Sequence, residues 1–329
     1  MTALLDGCIG TSSSNRAPRD VKHTDMASPR INILVAGGSG FVGRHLVDRL
    51  LAEGHHPSVM TRTPSPRHDK AVEVEGDVTK PESLTTALHG VEIAYYLVHS
   101  LDRRDFAAAD SEGALNFATA AKAAGVRRVI YLGGLGRAED DLSPHLRSRR
   151  EVENVLSEHI ETVALRAAIV VGQGSASWEI LCQLVERLPV MLTPRWVNTA
   201  TQPIAIDDVI SYLIHCLDSD VPAGHYDIGA PESTTYRKMM GTVAKLLRRT
   251  LTIVPVPVLS PGFSVRWLRL VTDVDMTTAR ALVQSLVNPV EVTERRLEAL
   301  TGHHPQSFVR AATAALSDRL DHAEASVST

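Results

Sequence analysis

The stretch that decides the fold is Ala36-Gly37-Gly38-Ser39-Gly40-Phe41-Val42-Gly43. It follows a β-branched run at residues 31–35 and opens into residues 41–53, where apolar side chains recur every three to four positions. This order predicts a buried strand, a tight turn and a helix that ends at Gly54. A G-x-x-G-x-x-G pattern in that setting is typical of dinucleotide binding, and a glycine-rich turn without a ligand is the alternative.

Each glycine of the pattern has a separate expected task. Gly37 permits the tight turn, Gly40 lets the backbone approach a pyrophosphate, and Gly43 lets the helix pack closely on the strand. The first N–H groups of the helix attract the phosphates. The cofactor-binding residues predicted in this turn are therefore Gly37, Ser39, Gly40, Phe41, Val42 and Gly43.

The end of the predicted second strand, residues 57–62, bears on the choice of cofactor. NAD enzymes usually carry an acid there that binds the ribose 2′-hydroxyl. This chain has Thr61 and Arg62 instead, with no acid until Asp69. Arg62 can pair with a 2′-phosphate, so we expect NADP(H); a solvated loop arginine is the alternative.

Two further strand ends are expected to reach the cofactor. Asp77 and Val78 follow the short alternating run at residues 71–77 and could contact the adenine. The run at residues 91–100 is apolar enough for a central strand buried on both faces. Its carboxyl end, at the switch point of the sheet, adds Leu97, Val98 and His99.

Strand and helix patterns alternate up to residue 174, which predicts an α/β fold with a doubly wound parallel sheet (Rossmann) and a smaller C-terminal substrate lobe. We assign residues 30–174 and 200–230 to the dinucleotide-binding domain, and residues 175–199 and 231–310 to the lobe. Trp178, Met191 and Trp196 of the lobe could line an apolar pocket or simply pack. Residues 1–29 are expected to be a disordered extension without the features of a signal peptide, and residues 311–329 a C-terminal tail.

Composition narrows the class of protein. The 329 residues are 44% hydrophobic, and the net charge of −4 gives no basic field for nucleic acid. The three cysteines are scattered and suggest neither a disulfide framework nor a metal site. So few cysteines favour a reducing, cytoplasmic compartment, and no apolar run is long enough to span a membrane. We expect a monomer or homodimer that acts on a small molecule.

These motifs resemble the short-chain dehydrogenase/reductase superfamily, and more narrowly its extended and atypical branch with the NmrA-like NAD(P)-binding proteins and the epimerase-like proteins. The resemblance covers roughly residues 30–310. The motifs that carry it are the glycine turn at 37–43, Arg62, Gly76-Asp77-Val78, Tyr95-Tyr96-Leu97-Val98-His99-Ser100 and residues 202–209.

The resemblance also identifies a departure. The superfamily uses a Ser after the fifth strand and a Tyr-x-x-x-Lys pair on the next helix, where Tyr donates the proton and Lys holds the ribose. Here Gly134 stands in the place of the Ser, and His145 and Arg149 stand in the places of Tyr and Lys. An imidazole with a pKa near 6.5 can donate a proton at neutral pH, and Arg149 can hold ribose hydroxyls. His145 could equally be a surface residue, with His99 and Ser100 as rival donors.

The resemblance implies an NADP(H)-dependent oxidoreductase that transfers hydride to a small organic carbonyl or enone, with His145 and Arg149 as the catalytic residues. Two alternatives stay open. One is a non-catalytic NADP(H)-binding redox sensor of the NmrA-like type, which the missing Tyr-Lys pair would allow. The other is an epimerase or dehydratase that acts on a nucleotide-linked substrate with a retained cofactor.

Overall fold

The structure is a computed structural model that describes residues 31–63, 71–100, 105–137, 140–256, 282 and 284–327. The extension predicted over residues 1–29 and part of the predicted lobe, residues 257–281, lie outside the described residues.

The β-strands of the described residues are Asn32–Ala36 (β1), His56–Thr61 (β2), Val72–Glu75 (β3), Ile93–Tyr96 (β4), Arg128–Gly134 (β5), Thr162–Ala167 (β6), Val170–Val171 (β7), Val190–Thr193 (β8), Ala200–Thr201 (β9), Ile204–Ala205 (β10), Gly224–Ile228 (β11), Thr234–Thr235 (β12) and Thr252–Pro255 (β13). The α-helices are Phe41–Ala52 (α1), Pro81–Ala87 (α2), Phe106–Ala123 (α3), Pro144–His159 (α4), Ala176–Arg187 (α5), Ile206–His215 (α6), Tyr236–Leu246 (α7), Arg296–Thr301 (α8) and Phe308–Val327 (α9). A 3₁₀ turn covers Arg195–Asn198.

A seven-stranded sheet in the order β11-β6-β5-β4-β1-β2-β3 forms the centre of the molecule, and all its neighbouring strands run parallel. The chain order reverses at β1, which lies between β2 and β4. This switch point is where open α/β sheets bind ligands. The predicted doubly wound parallel fold is confirmed.

Apolar side chains on both faces of the sheet bury the strands. Helices α1 and α6 cover one face, where Leu46, Val47 and Val209 pack on the sheet. Helices α2, α3 and α4 cover the other face, with Phe117 and Val152 fully buried. Every residue of β4 is buried, as the unbroken apolar run of this central strand predicts.

A second core lies beyond the sheet and forms the lobe. It joins Trp178 and Cys182 of α5, Met239 and Val243 of α7, and Phe308 of α9. Exposed cations alternate with these apolar positions on α7, which is why this helix has one buried face.

The lobe differs from the predicted boundaries at two places. Residues of the predicted tail belong to α9, whose Ala312 and Ala315 are buried in the lobe core because small side chains allow close packing there. Residues 293–297 pack instead on the edge strand β11. The Oδ2 atom of Asp227 accepts hydrogen bonds from Thr293, and Leu297 joins the main core.

Candidate functional site

The turn between β1 and α1 has the geometry of a phosphate cradle. Gly37 has φ +85°, and a Cβ at this position would lie 2.7 Å from the Leu97 carbonyl oxygen. A Cβ at Gly43 would lie 2.3 Å from the Gly37 carbonyl oxygen. A Cβ at Gly40 would touch that same oxygen alone, at 3.3 Å. Only glycine therefore fits at 37 and 43, whereas a side chain at 40 would meet a single close neighbour.

The first turn of α1 is left uncapped by side chains. Gly40 is the N-cap residue, and glycine has no side chain that could cap the N–H groups of Phe41, Val42 and Gly43. Such free N–H groups, together with the positive end of the helix dipole, bind anions. Ser39 is exposed beside them. The residues predicted to bind the pyrophosphate thus lie together around one helix N-terminus.

Arg62 follows β2, and two acidic residues, Glu75 and Asp77, lie at and after the end of the neighbouring strand β3. Arg62 is exposed, and its charge contributes to lowering the pKa of Asp77. Burial would raise the pKa of that carboxyl, but hydrogen bonds from Thr79 at 2.9 and 2.8 Å, together with the charges of Lys80 and Arg62, outweigh it. Glu75 pairs across the strands with Thr61. Counting acids along the chain misses both carboxylates, because β3 lies beside β2 only in the folded sheet.

The end of β4 closes the other side of the glycine turn. Leu97 N–H donates to the Ala36 carbonyl at 2.9 Å, so the segment after β4 stays beside β1. Leu97 and Val98 are partly buried and His99 is exposed. Val78 is buried, and Asn116 donates to its carbonyl oxygen at 2.9 Å. Tyr95 and Tyr96, which precede Leu97, are core residues.

A cavity of about 430 Å³ extends from the glycine turn into the lobe. Its Rossmann wall includes Gly37, Gly40, Leu97, His99, Gly134, His145 and Arg149. Its lobe wall includes Ile180, Leu184, Trp196, Tyr236, Met240 and Leu286. The cavity therefore connects the dinucleotide cradle to a mainly apolar chamber.

His145 lies on the cavity wall near the start of α4, which is capped by the Ser143 hydroxyl at 3.3 Å from Leu146 N. Burial, with the nearby charges of Arg149 and His99, lowers the pKa of His145 to about 3. A pKa this low favours a neutral imidazole at pH 7 over a protonated acid, and the catalytic role of His145 stays a prediction. Its Nδ1 atom is buried without a hydrogen-bond partner in the part of the chain that the structure describes.

Arg149, one turn further along α4, is bound by a carboxylate that the sequence analysis missed. Its guanidinium forms a buried ion pair with Asp110 of α3. Asp110 also accepts hydrogen bonds from the Ser100 N–H at 2.8 Å and from the Ser148 hydroxyl at 3.2 Å. Burial would lower the pKa of Arg149, but Tyr131 and Asp110 outweigh it and the pKa is raised. One terminal nitrogen of the guanidinium expected to hold the ribose is thus bound to a carboxylate of the protein.

Other candidates from the sequence divide between cavity and core. Trp196 lines the cavity, whereas Trp178 and Met191 are buried in the lobe core. Tyr236, also on the cavity wall, was missed because the first residue of a helix carries no pattern that distinguishes a pocket from a core. Among the described residues, no group of three His, Cys, Asp or Glu side chains could hold a metal ion, and no helix is long and apolar enough to cross a membrane.

A family model described as NAD(P)H-binding matches residues 37–181. A 3-beta-hydroxysteroid dehydrogenase of Mycolicibacterium neoaurum is 29% identical over 174 residues, 46% of this chain and 46% of the relative. A ceramide reductase of Caulobacter vibrioides is 32% identical over 168 residues, 48% of this chain and 52% of the relative. The matches thus span about half the length of these curated relatives.

The solved structure of a Citrobacter sp. triphenylmethane reductase complexed with NADP(H) has the same fold. It superposes with a TM-score of 0.70 at 17% identity, covering 87% of this chain and 100% of the other. The resemblance stated from the sequence is confirmed. Residues 37–181 match the NAD(P)H-binding family model, and the fold is shared with the solved structure of a short-chain dehydrogenase/reductase superfamily protein from Agrobacterium tumefaciens.

Proposed function

We propose that this protein is an NADPH-dependent reductase that transfers hydride to the carbonyl or conjugated enone of a small apolar molecule. The observation that carries the proposal is the single cavity that joins the glycine cradle to a chamber of aliphatic and aromatic side chains. An apolar chamber favours apolar substrates, because the polar groups of a substrate would lose their hydration there and find few hydrogen-bond partners in exchange. Steroid, ceramide and triphenylmethane, named in the three proteins compared above, are all largely apolar molecules.

The chain's own residues would hold the cofactor at three points. The free N–H groups of Phe41, Val42 and Gly43 would bind the pyrophosphate, Arg62 the 2′-phosphate, and the backbone from Leu97 to His99 would lie beside the nicotinamide ribose. The reduced nicotinamide, when bound, supplies the hydride.

His145 would act on the substrate as a neutral imidazole. A neutral ring keeps one N–H, and it can donate a hydrogen bond to an oxygen on which negative charge develops during reduction. It is a poor proton source, so we assign the proton that completes the alcohol to solvent. Arg149, bound to Asp110, would be a positioning residue whose charge helps to keep His145 neutral.

The alternative of a redox sensor is favoured by one observation. The Tyr-Lys pair of the superfamily is replaced by a neutral His145 and by an Arg149 engaged with Asp110, so no strong proton donor faces the cavity from α4. The epimerase alternative fits less well. A nucleotide-linked substrate would need cationic partners for its diphosphate, and the cavity offers aliphatic side chains over most of its lobe wall.

Turnover with a panel of apolar ketones and enones, followed by NADPH oxidation from pH 5 to 9, tests the proposal. Replacing His145 by Phe should lower turnover about 10²-fold, the typical loss for one donor to a developing oxyanion. Because the pKa of His145 is about 3, the ring stays neutral across this range. Its contribution should therefore not decline as pH rises through 6.5.

The matched control is His89→Phe, the same substitution in an exposed turn. NADPH affinity should be unchanged in both variants. Wild-type turnover that falls steadily through pH 6–7, with the fall abolished in His145→Phe, would contradict the neutral role. NADPH binding without turnover of any panel member would favour the sensor.

A further inference from the structure

The small parallel sheet of the lobe, formed by β8 and β13, has one side in the core and one side outside. Met191 of β8 points inward and is buried in the lobe core. Val190 and Leu192, the residues on either side of it, are 55% and 58% exposed. Leu192 lies opposite Val254 of β13, which is 40% exposed on the same side. Val190, Leu192 and Val254 therefore form an aliphatic face that is open to solvent.

A cluster of cations accompanies the aliphatic face. Residues 236–256, which include α7 and β13, contain five Lys or Arg residues and no Asp or Glu, although the chain as a whole has a net charge of −4. All five side chains are exposed; they are Arg237, Lys238, Lys245, Arg248 and Arg249. This local excess makes the segment of α7 and β13 a positive surface.

Two hydrogen bonds place these cations beside the aliphatic face. Arg237 donates to the Ile253 carbonyl oxygen at 3.4 Å, on the edge of β13 that is not paired with β8. Arg249, just before β13, donates to the Glu186 carbonyl oxygen at 3.0 Å, at the end of α5 that leads into β8. The carboxylate of Glu186 is itself paired with Arg319 at 2.7 Å. Positive charge therefore lies along one edge of the sheet and at its amino end.

We propose that the aliphatic face and its cations bind the surface of a membrane that contains anionic lipids. The aliphatic side chains enter the headgroup region, and the cations contact the lipid phosphates. Apolar residues bordered by Lys and Arg are the composition with which proteins bind the membrane interface. Such binding lays the lobe on the membrane surface and requires no spanning helix.

The aliphatic side chains favour a membrane over other anionic partners. Nucleic acids bind surfaces that combine cations with aromatic rings or hydrogen-bonding side chains, and Val190, Leu192 and Val254 offer neither. An acidic protein segment would pair with the cations and leave these apolar side chains in water. A bilayer with anionic headgroups matches both features, because it has phosphates at its surface and hydrocarbon directly below.

The position of the sheet connects this surface to the cavity. Strands β8 and β13 follow α5 and α7, whose Leu184 and Met240 line the lobe wall of the cavity. Apolar molecules concentrate in membranes, so a lobe at the membrane surface lies where the proposed substrates are. The inference itself does not depend on the proposed reaction, because binding to vesicles requires neither cofactor nor substrate.

Sedimentation of the full chain with lipid vesicles tests the inference. At about 0.05 M salt, vesicles of equal parts phosphatidylglycerol and phosphatidylcholine should bind the protein at least about tenfold more strongly than vesicles of phosphatidylcholine alone. Each Lys or Arg near an anionic surface contributes about fivefold, so a few of the cations are enough. Raising the salt to about 0.5 M should remove most of the difference, because charges are then screened within about 5 Å.

Leu192→Ser tests the apolar half of the surface. It should lower binding to the anionic vesicles about tenfold, because an inserted leucine side chain no longer leaves water. The matched control is Leu300→Ser, the same substitution at a position of α8 that is 52% exposed. This control should bind the vesicles like the wild type.

A double variant tests the charged half. Lys245→Gln combined with Arg248→Gln should lower binding to the anionic vesicles about tenfold or more and weaken its dependence on salt. Lys122→Gln combined with Arg127→Gln removes two exposed cations near the end of α3 and should change little.

Four results would overturn the inference. They are no binding to the anionic vesicles at low salt, equal binding to the neutral vesicles, equal losses in Leu192→Ser and Leu300→Ser, and unchanged binding in Leu192→Ser. The last result would indicate a partner that contacts only the cations, such as a nucleic acid or an acidic protein. The comparison of the two kinds of vesicle uses the wild type alone, so it decides even if a variant fails to fold.

Discussion

Two glycines of the turn after β1 should respond differently to substitution. Gly40→Val should leave the protein folded, because Gly40 has extended backbone angles (φ −73°, ψ 176°) and a Cβ there would meet one neighbour, the Gly37 carbonyl oxygen, at 3.3 Å. The new side chain would occupy the position of the pyrophosphate, so NADPH binding should be lost. Gly43→Ala should lower the melting temperature, because its Cβ would lie 2.3 Å from the Gly37 carbonyl oxygen.

Calorimetric titration with NADPH and thermal unfolding of both variants check this pair. Wild-type NADPH affinity in Gly40→Val would mean that the phosphates bind elsewhere. A melting temperature unchanged in Gly43→Ala would mean that α1 can move away from β1 without cost.

Arg62 decides the predicted cofactor preference. Arg62→Ala should weaken NADPH binding about tenfold or more, because a charge-assisted hydrogen bond to the 2′-phosphate contributes about 1.5–3 kcal/mol. NADH affinity should stay unchanged, and the exposed Arg127 provides a control substitution away from the site. Equal affinities of the wild type for NADPH and NADH would show that Glu75 and Asp77 offset the arginine.

Local sequence was sufficient for the residues whose role depends on the backbone. Gly37 and Gly43 were predicted because a positive φ and a close helix approach both exclude side chains. The protonation state of His145 was not predictable in the same way. Its pKa depends on burial and on Arg149 and His99, and only Arg149 lies close to it in sequence.

Between elements, the buried pair Asp110–Arg149 joins α3 to α4 and, through the Ser100 N–H, to the segment after β4. Asp110→Asn would leave the guanidinium without its counter-charge. Breaking a buried pair from one side costs about 3–5 kcal/mol. We therefore expect a marked fall in melting temperature in Asp110→Asn.

The control for this pair is Glu112→Gln, the same carboxylate-to-amide change at an exposed position of α3. It should shift the melting temperature by little. A loss below about 1 kcal/mol in Asp110→Asn would show that the pair is not needed to hold α3 and α4 together.

The alternation of strands and helices was enough to predict the sheet, because the spacing of apolar residues differs between a strand and a helix. The partner of Arg149 could not be predicted. Asp110 lies 39 residues away in an alanine-rich helix, where no local pattern distinguishes it as a buried acid from the exposed Glu112 two residues later. Helix α9 was not predicted, because its buried residues are mostly alanines among charged side chains and form no marked apolar face in the sequence.

For the whole molecule, the central feature is one cavity shared between the Rossmann domain and the lobe. It brings the N-terminus of α1, the start of α4 and the lobe residues Trp196 and Tyr236 to one space, although they are far apart in sequence. Cytoplasmic location and a monomeric or dimeric state remain predictions. The claim of hydride transfer depends on this shared cavity, because the lobe must hold a substrate against the cofactor site.

Transfer of isotope from cofactor to product tests that claim most directly. NADPH deuterated at one face of nicotinamide C4 is incubated with the wild type and the apolar ketone panel, and the products are analysed by mass spectrometry. We predict an alcohol or saturated ketone that carries one deuterium when one of the two faces of the cofactor is labelled and none when the other is, and no product with Gly40→Val. Tight NADPH binding with no labelled product from any panel member would contradict it.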